Sequence, residues 1–161
     1  MKRKLFWIFV ALQAAIPAGA AGLREADVAF AQRVLLRVEP VDPRDPFRGQ
    51  YVALSYDISQ LPHDGAGEGD GVYVRLYRAG GGWTGVFAGT REPGDPPYIR
   101  GRIEDGRIAF GIEQFYVSED DAQRYEDALF ARHLYADVAL GRGGRATLRR
   151  LVIRDKLGMR E

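Results

Sequence analysis

The segment from Pro40 to Ile58 constrains the fold of this chain more than any other stretch. Its first half contains three prolines, at Pro40, Pro43 and Pro46. Each proline holds φ near about −65° and removes one backbone donor. Each also pushes the residue before it towards extended geometry. This half of the segment therefore cannot be helical, and we expect a stiff turn.

Charged side chains of both signs crowd this turn, and a strand pattern follows it. From Gln50 to Ile58 the side chains alternate with a period of two, which predicts a half-buried β-strand. The apolar face of this strand would consist of Val52, Leu54, Tyr56 and Ile58. The candidate binding or structural motif comprises Asp42, Arg44, Asp45, Arg48, Gly49, Tyr51, Leu54 and Tyr56.

The same residues resemble the signature of the GDYXXLXY domain family, in which Val-Asp-Pro-Arg-Asp and Phe-Arg-Gly segments lead into the named motif. Gln50 stands where the family motif has Asp, and a glutamine can hydrogen-bond but brings no charge. Further resemblance is found in Gly71–Val74, Gly111–Val117 and Gly144–Asp155. The resemblance implies a membrane-anchored bacterial domain without an assigned reaction, which accompanies a multi-pass membrane protein. The matching positions are Val41, Asp42, Pro43, Arg44, Asp45, Phe47, Arg48, Gly49, Tyr51, Leu54 and Tyr56.

Residues 1–23 have the pattern of a signal peptide or a signal anchor. Three basic residues precede an apolar run from Leu5 to Ile16. Cleavage after Ala20 would fit the small residues there, whereas Leu5 to Leu23 is about long enough to cross a bilayer. The residues alone favour cleavage, and the resemblance favours a retained anchor, which is the reading we adopt over cleavage or a buried core helix. An anchored or a cleaved segment would both place the domain on the extracytoplasmic, periplasmic side of a bacterial cell membrane.

Composition narrows the possible functions of the exported part. The chain has 161 residues and no cysteine, which excludes disulfides, thiolate metal sites and a cysteine nucleophile. The formal net charge is +1, and because Lys2, Arg3 and Lys4 supply +3, the rest of the chain carries −2. A general nucleic-acid-binding domain would be basic, so we expect no nucleic acid as a partner.

The patterns along the chain predict a β-rich α+β domain. We expect about nine short strands in an antiparallel sheet or a partly closed barrel, one amphipathic helix at about 119–132, and an N-terminal hydrophobic helix. Asp105-Gly106 is a hairpin signal, and Ser118 with Asp121 predicts a helix start. The expected organisation is an anchor or signal peptide at 1–23, a stalk at 24–32, the domain at 33–155 and a frayed tail at 156–161.

The residue types needed for catalysis are poorly supplied. The three serines are not in a G-x-S-x-G context, and His63 and His133 have no partner at metal-ligand spacing. The loop from Gln60 to Gly71 has the composition of a solvated loop. The sequence therefore predicts no catalytic residue, metal or cofactor, and it favours a non-catalytic domain over an enzyme.

Three functional hypotheses follow. The leading one is an accessory domain that binds an integral membrane protein through the charged turn and its adjacent strand. The second is an envelope hydrolase in which Asp42 and Asp45 act as acid and base. The third is a small-ligand or cell-wall binding module that uses Tyr51, Tyr73 and Arg75.

Overall fold

The computed structural model describes Gln13, Ala15 and residues 31–40, 47–48, 51–155 and 158–160. Over these ranges the chain is β-rich, with one α-helix of three turns, so the predicted fold class is confirmed in its main features. The strands are β1 (Gln32–Glu39), β2 (Phe47–Arg48), β3 (Tyr51–Ala53), β4 (Ser55–Tyr56), β5 (Gly71–Ala79), β6 (Gly82–Gly89), β7 (Tyr98–Glu104), β8 (Arg107–Ala109), β9 (Gln114–Tyr116), β10 (Leu134–Leu140), β11 (Ala146–Asp155) and β12 (Gly158–Arg160).

Most of the strands form one curled nine-stranded sheet. Its order is β12-β11-β10-β1-β6-β5-β7-β8, with β4 also paired to β1, and a second sheet has the order β2-β3-β9. The strand β12 lies within the segment at 156–161 that the sequence predicts to be a frayed tail.

The large sheet is mixed, so the expectation of a purely antiparallel sheet is wrong. Strands β1 and β6 run parallel, with Leu36 opposite Trp83, while the other pairs are antiparallel. Two antiparallel groups, one built from β10 and β11 and the other from β5 to β8, meet at this parallel pair. An alternating pattern within a strand carries no information on the direction of its neighbour, which is why the parallel pair was not predicted.

The hydrophobic core covers one face of the large sheet. In β1 the inward side chains Val34, Leu36 and Val38 are each at most 1% exposed. In β5 the alternation predicted for Val72, Val74 and Leu76 is confirmed, because all three are buried. Strand β10 differs, since all seven of its residues are buried and its outward face is therefore covered as well.

The predicted hairpin over Asp105-Gly106 is confirmed. Asp105 has a φ of 51° and Gly106 a φ of 70°. Two successive positive φ values are those of the type I′ turn, whose twist matches that of the flanking strands. The turn joins β7 to β8 with Glu104 opposite Arg107.

The amphipathic helix, here called α1, runs over Glu119–Phe130. Its apolar stripe lies on the core as predicted, with Ala128 and Leu129 buried, and Ala122 and Tyr125 partly buried. The predicted cap is not formed by the side chain of Ser118. Its hydroxyl instead donates to Asp121 Oδ2 at 2.8 Å, because the carboxylate competes with the backbone N–H groups for this short side chain.

The N-terminal hydrophobic helix predicted at 1–23 lies outside the described residues, apart from helical backbone at Gln13 and Ala15. Within the described ranges, neither length nor apolar content qualifies any helix as a membrane span.

Candidate binding surface

The strand predicted from Gln50 to Ile58 is divided between the two sheets. Strand β3 pairs with β2 and β9 in the small sheet, while β4 pairs with β1 in the large one. Leu54 forms the crossing between them, and Asp57–Gln60 then turns into a 3-10 helix. The continuous strand is therefore a wrong prediction. Leu54 and Tyr56 are buried as predicted, but Ser55 between them is buried as well. The backbone changes partners at the crossing, and a side-chain pattern carries no information on that change.

Leu54 and Tyr56 fasten this crossing to the core. They are 2% and 0% exposed. The Leu54 N–H donates to the carbonyl of Glu113 at 2.7 Å, and the Tyr56 hydroxyl donates to the carbonyl of Ile112 at 2.6 Å. The Tyr56 ring also packs edge-to-face against Phe110, with centroids 6.4 Å apart. Both signature residues therefore hold the segment from Phe110 to Glu113 against the strand crossing.

The environment of Tyr56 keeps its hydroxyl protonated. Burial raises the pKa of the Tyr56 phenol far above its ordinary value, and the negative charge of Glu113 raises it further. A buried phenol that already donates to a carbonyl is poorly suited to proton transfer near neutral pH. The geometry therefore gives Tyr56 a structural role.

The charged half of the signature lies outside the described residues. This applies to Asp42, Arg44, Asp45 and Gly49, and for Arg48 and Tyr51 only the backbone is described. The hydrolase hypothesis, which needs the carboxylates at 42 and 45, therefore stays a prediction. The base of the turn is described, because Glu39 at the end of β1 lies opposite Ser55 at the start of β4. The chain thus leaves and re-enters the large sheet at one paired position.

The three residues of the aromatic hypothesis do not lie on neighbouring strands. Tyr51 belongs to β3 in the small sheet, whereas Tyr73 and Arg75 belong to β5, which pairs with β6 and β7. Tyr73 packs instead against Tyr98 of β7, with ring centroids 5.8 Å apart. The shared surface that this hypothesis required is not assembled by strand pairing.

Two open clefts flank the β7–β8 hairpin. The first, here called the arginine cleft, has a volume of about 430 Å³, and the second about 530 Å³. The arginine cleft is lined by Gly71, Tyr73, Glu92, Arg100, Gly101, Arg102, Glu104, Ala109, Phe110, Gly111, Glu113, Arg142, Gly143, Arg145 and Ala146.

The second cleft lies beside the signature crossing and contains one unusual polar group. The hydroxyl oxygen of Ser59 is buried and has no hydrogen-bond partner in the described part of the chain. Ser59 lines this cleft together with Ser55, which is also buried. A buried hydroxyl without a partner carries a desolvation cost, so this end of the cleft is polar.

The arginine cleft was not predicted from the sequence. Arg100 and Arg102 alternate with buried residues in β7, so their outward direction could have been read from the pattern. Arg142 and Arg145 come from the β10–β11 loop, about forty positions further along the chain. Their approach to β7 depends on how the large sheet curls, and no local pattern signals it.

The loop from Gln60 to Gly71 contains carboxylates that bond to backbone N–H groups. Here the Asp70 carboxylate accepts the Gly67 N–H at 2.8 Å, and Glu68 accepts the Asp105 N–H at 3.1 Å. Across the described ranges, no three His, Asp or Glu side chains gather as a possible metal site. The loop carboxylates for which bonds are described thus stabilise turns.

Comparison with known proteins places the chain in a family. Curated proteins and solved structures give no significant match. A family model, described as GDYXXLXY protein, matches residues 13–151, which is most of the chain. This match agrees with the resemblance seen in the signature residues, including the core positions Leu54 and Tyr56. The chain therefore belongs to the GDYXXLXY family.

Proposed function

We propose that this chain is a membrane-tethered, extracytoplasmic accessory domain that binds an integral membrane protein. The binding surface is the charged turn at 40–50 together with the strand that follows it. The observation that carries this proposal is the pinned base of the turn, where Glu39 pairs with Ser55. Holding the two ends of a loop in one strand pair reduces the conformations open to it, which lowers the entropy cost of ordering the loop on binding.

The packing role of Leu54 and Tyr56 supports a separate binding role for the charged residues of the signature. Leu54 and Tyr56 are buried and satisfied, so they serve to hold the crossing. The charged residues Asp42, Arg44 and Asp45 lie outside the described residues, and the proposal assigns binding to them. Charged side chains on a stiff support give an interface its orientation and its choice of partner.

The extent of the family match supports a retained anchor. The match begins at residue 13, inside the hydrophobic segment, and extends to residue 151. Cleavage after Ala20 would remove part of the matched region. The proposal therefore places the chain at the membrane through its own N-terminal segment.

Partner binding is tested by crosslinking in intact membranes followed by purification of the full-length chain. Arg44→Ala and Arg48→Ala are expected to lower the yield of one co-purifying integral membrane protein by at least about fivefold, the size of effect expected for a central interface arginine. Arg124→Ala, which removes the same charge from the exposed face of α1, is the matched control and should leave the yield unchanged. Recovery of the same partners by all three variants would refute binding through the turn.

Tethering and sidedness are tested separately. Because the chain has no cysteine, Ala88→Cys on an exposed position of β6 introduces a single thiol. A maleimide that does not cross membranes should label this thiol in cells whose outer membrane alone is permeabilised, and the labelled chain should sediment with membranes. Labelling only after the inner membrane is broken would overturn the extracytoplasmic location, and a labelled soluble chain would overturn the anchor.

A further inference from the structure

We propose that the arginine cleft is a binding site for a small oxyanion ligand, specifically a phosphorylated polyol or sugar. Two of its arginines, Arg100 and Arg102, stand on the outward face of β7. Residues two apart on a strand are about 7 Å apart, so their guanidinium groups can converge on one oxyanion. Gly71 lies opposite Arg102 on β5, and the absence of a side chain there leaves the space above β7 open.

Three of the four cleft arginines have no carboxylate partner among the described residues. In the described part of the chain, no carboxylate lies within 4.0 Å of the guanidinium nitrogens of Arg100, Arg102 or Arg145. A guanidinium group binds a phosphate or carboxylate through two parallel hydrogen bonds, and these are among the strongest polar contacts in proteins. These three side chains are therefore available to a ligand.

The cleft carboxylates are fewer than its arginines and are mostly engaged. The lining contains four arginines and three glutamates. Glu92 accepts a hydrogen bond from the Tyr98 hydroxyl, which raises the pKa of that phenol, and Glu113 accepts from the N–H of Phe110. Glu104 is exposed on the same side of β7 and can accept from a ligand hydroxyl. The cleft is thus suited to a ligand with one anionic group and a hydroxylated body.

The loop that carries Arg142 and Arg145 is held in place by backbone packing. A Cβ at Gly144 would lie 2.8 Å from Tyr98 Cδ2 and 2.9 Å from the backbone nitrogen of Arg100. The φ of Gly144 is +73°. Only glycine allows this approach, so the loop is fixed directly against β7. The Gly141 N–H also donates to the Arg145 carbonyl at 2.8 Å and closes the turn. Preorganisation of this kind lowers the entropy cost of binding.

The dimensions of the cleft fit a small ligand. Its volume of about 430 Å³ lies within the range of small-molecule sites, which run from about 300 to 1,000 Å³. Tyr73 lines the cleft, and its ring packs against the ring of Tyr98. An aromatic wall of this sort packs against the carbon skeleton of a polyol or sugar.

The test is a calorimetric titration of the purified full-length chain in non-ionic detergent at low salt. The probes are glycerol 3-phosphate, inorganic phosphate, and phosphatidylglycerol doped into the micelles. We expect saturable binding of at least one probe, with an affinity that falls as NaCl is added. Arg102→Ala and Arg145→Ala should each weaken it by at least about tenfold, the effect of losing one charge-assisted contact. Arg124→Ala on α1 should leave it unchanged.

A steric variant locates the site independently of charge. A side chain at Gly71 would enter open space, so Gly71→Leu should fold normally while it fills the cleft. It should weaken binding by at least about tenfold, since the ligand and the new side chain would occupy the same volume. Binding of the soluble probes identifies a free ligand, and binding of doped micelles alone identifies a lipid headgroup; both outcomes support the site if Gly71→Leu weakens them.

Three results would overturn the proposal. The first is no saturable binding of any probe by the wild-type chain at millimolar concentration. The second is an equal effect of Arg102→Ala and Arg124→Ala, which would indicate nonspecific charge attraction. The third is unchanged binding by Gly71→Leu. Unfolding temperatures of all variants within a few degrees of the wild type exclude misfolding, and because no partner protein is present, the result is independent of partner binding through the turn.

Discussion

Two arginine-rich regions of this domain differ in whether a protein carboxylate lies between the guanidinium groups. On the outward face of β10, Asp137 accepts hydrogen bonds from Arg33 and from Arg150, and the Asp137 side chain is only 4% exposed. The pairing with Asp137 raises the pKa of Arg33. In the arginine cleft, by contrast, Arg100 and Arg102 have no such partner among the described residues.

The presence or absence of a carboxylate partner distinguishes two roles of arginine in this domain. On β10 the neighbouring Tyr135 ring also lies between cations, with Arg37 and Arg154 each 5.9 Å from its centroid. The arginines there cover the outward face of a strand whose residues are all buried, so they replace an apolar layer. The cleft arginines cover no such strand. The comparison indicates that the β10 arginines stabilise the fold and the cleft arginines bind a ligand.

Removal of the shared carboxylate should have the largest effect on the first region. Asp137→Ala would remove the carboxylate that Arg33 and Arg150 share, and we expect a loss of about 2 kcal/mol in the free energy of unfolding. This is below the usual cost of breaking a buried ion pair, because both arginines are about half exposed and are screened by solvent. Urea unfolding of the full-length chain in detergent, followed by tryptophan fluorescence, measures the change. The matched control is Asp64→Ala in an exposed loop, and an equal effect of the two variants would contradict the structural role of Asp137.

The next prediction concerns the uncharged hydroxyl of Tyr56 in the signature. Tyr56→Phe removes the hydroxyl that donates to the Ile112 carbonyl and leaves that carbonyl without its buried donor. The expected cost is about 1 to 1.5 kcal/mol, measured by the same unfolding experiment. Tyr77→Phe, at a residue that is 48% exposed, serves as the control and should have no measurable effect. If Tyr56→Phe also had none, the hydroxyl would not be what fastens the strand crossing.

The cleft arginines should be dispensable for stability. Arg102→Ala and Arg145→Ala are expected to shift the unfolding temperature by less than about 2 °C, because no described contact within the protein is lost. Arg33→Ala, which removes one of the two partners of Asp137, should shift it further. Differential scanning calorimetry of the three variants checks this order. A larger shift for Arg102→Ala than for Arg33→Ala would remove the distinction between the two regions.

Substitution of Asp57 should give the smallest change in stability. Its carboxylate is partly buried, and its favourable contacts offset only part of the cost of burying the charge. Burial raises the pKa of Asp57 above its ordinary value of 3.8, against the opposing effects of the Ile58 N–H, Thr84 and Arg37. Because the folded state prefers the protonated form, this residue costs stability as the pH rises from about 3.8 through the raised pKa. Asp57→Asn should therefore gain stability relative to the wild type across that window and keep the gain at higher pH. The measurement is a set of unfolding curves of the variant and the wild type between acid and neutral pH. A stability difference between the two proteins that stays constant over this range would contradict the prediction.

Local patterns predicted those elements whose side chains report only on their own strand or helix. The alternation of Val72, Val74 and Leu76, the turn at Asp105-Gly106 and the apolar stripe of α1 were all readable. The buried face of the signature, with Leu54 and Tyr56, was readable for the same reason. The division of the predicted strand between two sheets was not, since it is a change of backbone partner, which no side-chain pattern reports.

The arginine cleft shows the same limit at longer range. The outward positions of Arg100 and Arg102 follow from strand alternation, but the loop with Arg142 and Arg145 reaches them only through the packing of Gly144 on β7. Whether an arginine finds a carboxylate also depends on strand register, as with Asp137 opposite Arg150. A count of charges along the chain therefore cannot distinguish an arginine that pairs with a carboxylate from one that does not.

By itself, the sequence of this protein determined its family signature, its β-rich class and which side chains face the core, because hydrophobic periodicity and turn chemistry act over a few residues. Only the tertiary structure decided the parallel pairing of β1 with β6, the strand crossing at Leu54 and the pairing of Arg33 and Arg150 with Asp137. Those features depend on contacts between residues far apart in the chain, whose geometry is set when the whole sheet curls around its core.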